Sequence, residues 1–146
     1  MKSRRILSLL AAAALATTVL VGCGAKEEAN NEASQEVVLK DGTYKAESEA
    51  DDHGNTASIE IEVKDGKIAT VKYDEKSSDG VSKLDNEEYN NNMKSVSGTN
   101  PIEAFPALQE ALVEKQDVAS VDTVTGATAT SEKFKTLAEK ALADAQ

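Results

Sequence analysis

Ser58-Ile59-Glu60-Ile61-Glu62-Val63-Lys64-Asp65-Gly66-Lys67-Ile68-Ala69-Thr70-Val71-Lys72-Tyr73-Asp74 is the stretch that decides the fold. Ile59, Ile61 and Val63 alternate with Glu60, Glu62 and Lys64, which is the pattern of a strand with one buried and one wet face. Asp65-Gly66 supplies the positive-φ pair of a tight hairpin. Lys67 to Asp74 returns as the partner strand, with Ala69, Val71 and Tyr73 predicted on its inner face. Upstream, Asp41-Gly42 signals a turn and Thr43 to Glu49 reads as a first strand. Asp51 to Asn55 is a loop on composition.

Downstream the period changes. Tyr89, Met93 and Val96 share one face of a short polar helix starting near Asn86. Asn100-Pro101-Ile102-Glu103 is a helix start, with a capping Asn, Pro at the first position and Glu at the third. Pro106 predicts an interruption: one turn at 101–104, then a main helix from Phe105 to Lys115 with Leu108, Ala111 and Leu112 inward. Val118 to Val124 reads as a short strand. Phe134, Leu137, Ala138, Ala141 and Leu142 fall at helical spacing in an amphipathic C-terminal helix. This order predicts an α+β domain, a small antiparallel sheet with helices packed on one side. The sequence holds neither the two βαβ halves of a doubly wound nucleotide fold nor its glycine-rich fingerprints.

Composition narrows the chemistry. The 146 residues suffice for one ordinary domain. A single Cys excludes Cys-x-x-Cys zinc sites, c-type haem attachment and an internal disulfide. The net charge of −10, from 26 acidic and 16 basic residues, argues against nucleic acid as a partner.

The N-terminus has its own composition. Lys2, Arg4 and Arg5 precede an alanine-rich apolar run from Ile6 to Val21, and no acid occurs before Glu27. The run is short for a membrane span and has the layout of a secretory signal. It ends in Leu20-Val21-Gly22-Cys23, which resembles a bacterial lipobox. On that reading residues 1–22 are a lipoprotein signal peptide and the Cys23 thiol carries a lipid; the other reading is an uncleaved helix with a chance cysteine. Cleavage removes three of the 16 basic residues, leaving 13 against 26 acidic ones. Residues 23–38 then form a polar tether with a reach of roughly 20 Å, and residues 39–146 form the domain.

Between the last predicted strand and helix lies Asp122-Thr123-Val124-Thr125-Gly126-Ala127-Thr128-Ala129-Thr130-Ser131. The helix is expected to begin at Thr130 or Ser131. Free N–H groups at a helix start favour a bound anion, and Gly126 and Ala127 permit close approach to the backbone. The segment therefore suits a phosphate. It equally suits an ordinary loop in which Thr130 or Ser131 caps the helix.

Thr125-Gly126-Ala127-Thr128, with Asp122 three residues earlier, resembles the D-x-x-[ST]-G-A-[ST] acceptor motif of FMN-binding domains. The likeness extends to Asp41-Gly42-Thr43-Tyr44, the Val63–Ile68 hairpin, Glu88-Tyr89-Asn90 with Met93, Gly98-Thr99 with Pro101, and Phe134 with Leu137. It is similar in particular to the pheromone-encoding flavin lipoproteins of extracellular electron transfer. The same domain family includes flavin subunits of the sodium-pumping NADH:quinone reductase and Rnf complexes. The resemblance implies a single FMN-binding domain that is not an enzyme but the substrate of a flavin transferase. That transferase cleaves FAD, releases AMP and esterifies the FMN phosphate to the motif's last hydroxyl. Carried over, Thr128 bears the covalent FMN, Asp122 belongs to the sequence the transferase requires, and Thr125, Gly126 and Ala127 form the phosphate loop. The implied partners are the membrane through Cys23, a flavin transferase, a quinone or NADH dehydrogenase system as electron donor, and an extracellular or envelope acceptor. The implied location is the extracytoplasmic face of the cell membrane, on a Gram-positive surface.

Three further residues are weaker candidates for the flavin. His53, the only histidine, is a surface loop residue or a flavin-edge contact. Tyr89 and Met93 are core residues or contacts to the isoalloxazine. The acidic pairs Asp51-Asp52, Asp74-Glu75 and Glu87-Glu88 are expected to be solvated. Against the electron carrier stands a cofactor-free surface lipoprotein whose signal peptide yields a signalling peptide. A solute-binding lipoprotein is disfavoured because two lobes are not present to close on a ligand.

Overall fold

The computed structural model describes residues 38–146, in which strands β1 (Gly42–Glu47), β2 (Thr56–Lys64) and β3 (Lys67–Lys76) precede helices α1 (Glu87–Ser97), α2 (Pro101–Lys115) and α3 (Thr128–Leu142). The signal peptide, Cys23 and nearly all of the tether lie outside the described residues. The sheet is antiparallel in the order β1-β2-β3. Asp65 and Gly66 have φ of 54° and 76°, as the hairpin turn requires. Ala57, Ile59, Ile61 and Val63 bury one face of β2, and α2 and α3 pack across β3 and across β1 and β2. The α+β architecture is the one the sequence predicts.

Aromatic contacts tie the layers together. Tyr73 on β3 meets Phe105 of α2 edge-on at 5.0 Å and Phe134 of α3 at 5.2 Å. Phe105, Phe134, Ile61, Leu108 and Leu112 are fully buried around them, each contributing about 1.5–3 kcal/mol. The free edge of β3 is covered by two glutamines. Gln109 accepts from the Tyr73 N–H, and Gln116 both accepts from the Ile68 N–H and donates to its carbonyl.

Several expectations are corrected. A β-bulge pairs Glu62 with Thr70 and Val63 with Ile68, so Ala69 is the extra residue. Ile68 and Val71 therefore face the core, and Ala69 is exposed. Val118–Val124 is not a strand. Asp117 accepts from the Ala119 N–H and the Ser120 hydroxyl, closing a turn that lets Val118 and Val121 bury without a strand partner. Helix α2 is continuous through Pro106. Proline this close to the N-terminus removes one intrahelical bond, to the carbonyl of the exposed Ile102, where water can take its place. Val96 is 80% exposed, and Asn90 is the buried residue of α1. Its amide donates to the carbonyls of Lys83, Leu84 and Asn86, fixing the 3₁₀ turn Lys83–Asp85 against the helix.

Candidate functional site

Helix α3 begins at Thr128, not at Thr130 or Ser131. Its N-cap is Ala127, with no side-chain cap, whereas Asn86 caps α1 and Asn100 caps α2. The N–H groups of the first turn of α3 are thus left without a side-chain partner. Ser131 does not cap. It is fully buried, its Oγ accepting from the Val124 N–H at 3.0 Å and donating to the Ala127 carbonyl at 2.8 Å. One hydroxyl so clamps the loop that presents Thr128. Ser131→Ala leaves the Val124 N–H without that partner and is expected to cost about 1–3 kcal/mol, read as a lower urea midpoint with an unchanged slope.

The fold itself requires glycine at position 126. Its φ is +83°, and a Cβ there would lie 2.2 Å from the Ser97 carbonyl oxygen. The missing side chain makes room for the end of α1. The loop is seated between the C-terminus of α1 and the start of α3.

Gly126, Ala127 and Thr128 line a cleft of about 480 Å³ together with His53, Tyr89 and Met93. Asp122 and Thr125 do not line it. The Asp122 side chain is 91% exposed and pairs with Lys115 at 3.1 Å, and Thr125 is exposed. Thr128 is exposed too, so an external enzyme can reach its hydroxyl.

The sequence reading missed the charged wall of this cleft. Glu75 is 1% exposed, contrary to the solvated face expected of it. Its Oε1 accepts from the Tyr73 hydroxyl at 2.8 Å, while Oε2 lies 2.6 Å from Lys83 Nζ and 3.8 Å from Lys133 Nζ. Its position was legible in principle: beyond the bulge, Val71, Tyr73 and Glu75 share the inward parity of β3. Burial alone would raise the Glu75 pKa, but Lys83, Tyr73 and Lys133 outweigh it and hold the carboxyl below the usual range. Burial lowers Lys83, yet Glu75 prevails and raises it. Desolvation and the adjacent Glu75 charge push the Tyr73 phenol far up, so it stays a donor.

Asp51 also departs from a simply solvated role. It accepts from the backbone N–H groups of His53 and Asn55 and from the Asn55 amide, closing the loop that carries His53. The Asn55 N–H is the main cause that brings its pKa down to about 2.

These shifts set the pH dependence. A depressed Glu75 stabilises the fold fully above its ordinary value, and that contribution is lost as pH falls through the native one. The raised Lys83 loses its contribution only as pH climbs through its native value, beyond the ordinary 10.5. Urea midpoints are therefore expected to be level near neutrality and to fall below about pH 4. Glu75→Gln should make that acid limb shallower.

Residues 52–143 match the FMN-binding domain family. A 15 kDa lipoprotein of Treponema pallidum (strain Nichols) is 35% identical over 109 residues, covering 74% of this chain and 77% of that protein. The crystal structure of a Clostridium perfringens protein superposes with a TM-score of 0.70 at 47% identity, over 73% of this chain and 88% of that one.

Proposed function

This chain belongs to the FMN-binding domain family, and on that premise we propose that it is a lipid-anchored, extracytoplasmic electron carrier with FMN esterified to Thr128. The observation that carries the reading is the position of Thr128: first residue of a helix without a side-chain cap, exposed, at the wall of a cleft. The residues present fit the group. Cofactor sites typically occupy about 300–1,000 Å³, and the cleft of about 480 Å³ falls in that range. The unshared N–H groups of α3 suit a phosphodiester, and the helix dipole favours its negative charge by about 0.3–1 kcal/mol. Tyr89 and Met93 offer an aromatic ring and a polarizable sulfur to a flat ring system.

When bound, FMN supplies one- and two-electron redox chemistry, which is the cofactor's own. The chain's part is to hold the phosphate at the start of α3, to keep Thr128 accessible to a flavin transferase, and to wall one side of the ring with Tyr89, Met93 and charged groups. Asp122, outside the cleft, suits recognition by the transferase better than contact with flavin. A name such as that of the Treponema lipoprotein supports anchoring through Cys23. Two acyl chains give stable membrane attachment, which would hold the domain near a membrane donor and an envelope acceptor.

The test is co-expression with a flavin transferase, followed by intact mass and visible absorbance. The expected product is yellow and heavier by one FMN less one water, with the increment on the peptide Val121 to Lys133. A colourless, unmodified chain would overturn the reading. For the anchor, Cys23→Ala is expected to leave the precursor uncleaved and unlipidated; normal processing and membrane retention of that variant would count against the lipoprotein assignment.

A further inference from the structure

We propose that the Lys83–Glu75–Lys133 cluster is the charge-setting element of the cleft and makes the bound flavin easier to reduce. The proposal rests on the reading of the cleft as the flavin site. Its geometry is independent of that reading. Three elements contribute: Glu75 from the end of β3, Lys83 from the 3₁₀ turn and Lys133 from α3, and all three line the cleft that Thr128 lines. Lys83 Nζ lies 2.6 Å from Glu75 Oε2 and 5.4 Å from the centre of the Tyr89 ring. Lys133 Nζ lies 3.8 Å from the same oxygen and 3.6 Å from Asp51 Oδ2 at the rim. Tyr73, wedged between Phe105 and Phe134, donates to the other oxygen of Glu75 and ties it to the core.

Stability alone is weak grounds for keeping this arrangement. A buried ion pair is often matched by apolar residues of the same volume, and titratable groups held in a cleft wall mark functional sites more often than chance allows. What the cluster does provide is two ammonium groups sharing one buried carboxylate at the inner wall, while the fourth charge, the Asp51 carboxylate that balances them, stands at the rim where solvent screens it. Reduction of a flavin by two electrons from the donor and one proton from solvent leaves one added negative charge on the ring. A cation in a partly buried wall stabilises that charge more than water-screened charges do. Lys83 and Lys133 thus act on the reduced form, and Glu75 positions them and moderates their charge.

The experiment uses the full chain carrying FMN, with one FMN per chain verified by intact mass before each potential is measured spectroelectrochemically. Lys83→Met and Lys133→Met are expected to shift the equilibrium tenfold or more toward the oxidised form, about 30 mV lower for a two-electron couple. Glu75→Gln is expected to shift it the opposite way, and Lys83→Arg to stay near the wild-type value. The opposite signs separate charge from mere disruption, which would move all variants in one direction. Shifts of the same sign, or none in any variant, would overturn the proposal. A second readout needs no ester: the Thr128→Val chain, with and without the cluster substitutions, is titrated anaerobically with oxidised and with reduced FMN. The ratio of the two dissociation constants should move as the potentials do. If the wild-type chain never gains the mass of FMN, the attachment reading fails alone. This titration then decides the cluster, and equal ratios in all variants overturn it.

Discussion

Thr128→Val is expected to abolish covalent flavin attachment while leaving the fold intact. The substitution keeps the branched shape and removes the oxygen that would form the phosphoester bond. At an exposed first helical position it should change stability by no more than about 0.5 kcal/mol, so loss of colour cannot be ascribed to unfolding. Denaturing electrophoresis with flavin fluorescence, together with intact mass, reads the result. Thr125→Val should have a smaller effect, since Thr125 lies outside the cleft; Thr130 lines the cleft but is not the hydroxyl assigned as acceptor, so Thr130→Val should leave attachment near wild type. Flavin that survives denaturation on the Thr128→Val chain would mean that the acceptor lies elsewhere.

Gly126→Ala carries the second large effect. A left-handed residue other than glycine costs about 1–2 kcal/mol, and here the new Cβ would also meet the Ser97 carbonyl oxygen at 2.2 Å and its carbon at 3.1 Å. The loop or the end of α1 has to move. We expect a loss of about 2–4 kcal/mol, a fall in Tm on the order of 10–20 °C, and attachment slowed by about 100-fold through displacement of Thr128. Gly80→Ala is the control, because its φ of +82° is similar but nothing lies within 4 Å of the added carbon. Equal losses at the two positions would show that backbone strain alone is at work and that the contact with Ser97 is unimportant.

The hairpin was legible because its information is local. Side-chain alternation fixes the faces of β2, and Asp65-Gly66 fixes the turn whatever the rest of the chain does. Asn100 announced its helix in the same way, since a cap bonds to an N–H group only three residues on. Val118 to Val124 misled for the converse reason. An apolar run records that residues are buried and not whether a neighbouring strand is present to accept their backbone hydrogen bonds. Ala69 and Ile68 exchanged places because a one-residue bulge inverts the parity on which the reading depended.

For the site, the sequence shows which groups one loop can offer: Asp122 and Thr125 to Thr128 lie within seven residues and resemble the acceptor motif of FMN-binding domains. Tertiary structure decided what surrounds it. Glu75, Lys83 and Lys133 stand 8 and 50 residues apart along the chain, yet they converge on one carboxylate because the 3₁₀ turn packs against β3 while α3 crosses the neighbouring β2 and brings Lys133 to it. Whether Ser131 caps a helix or clamps a loop depended on where α3 begins, and the need for Gly126 came from a carbonyl 29 residues upstream. Local patterns record only which groups a segment can offer. The partners they meet are set by packing between segments distant in sequence, where distances of a few ångströms decide the energy.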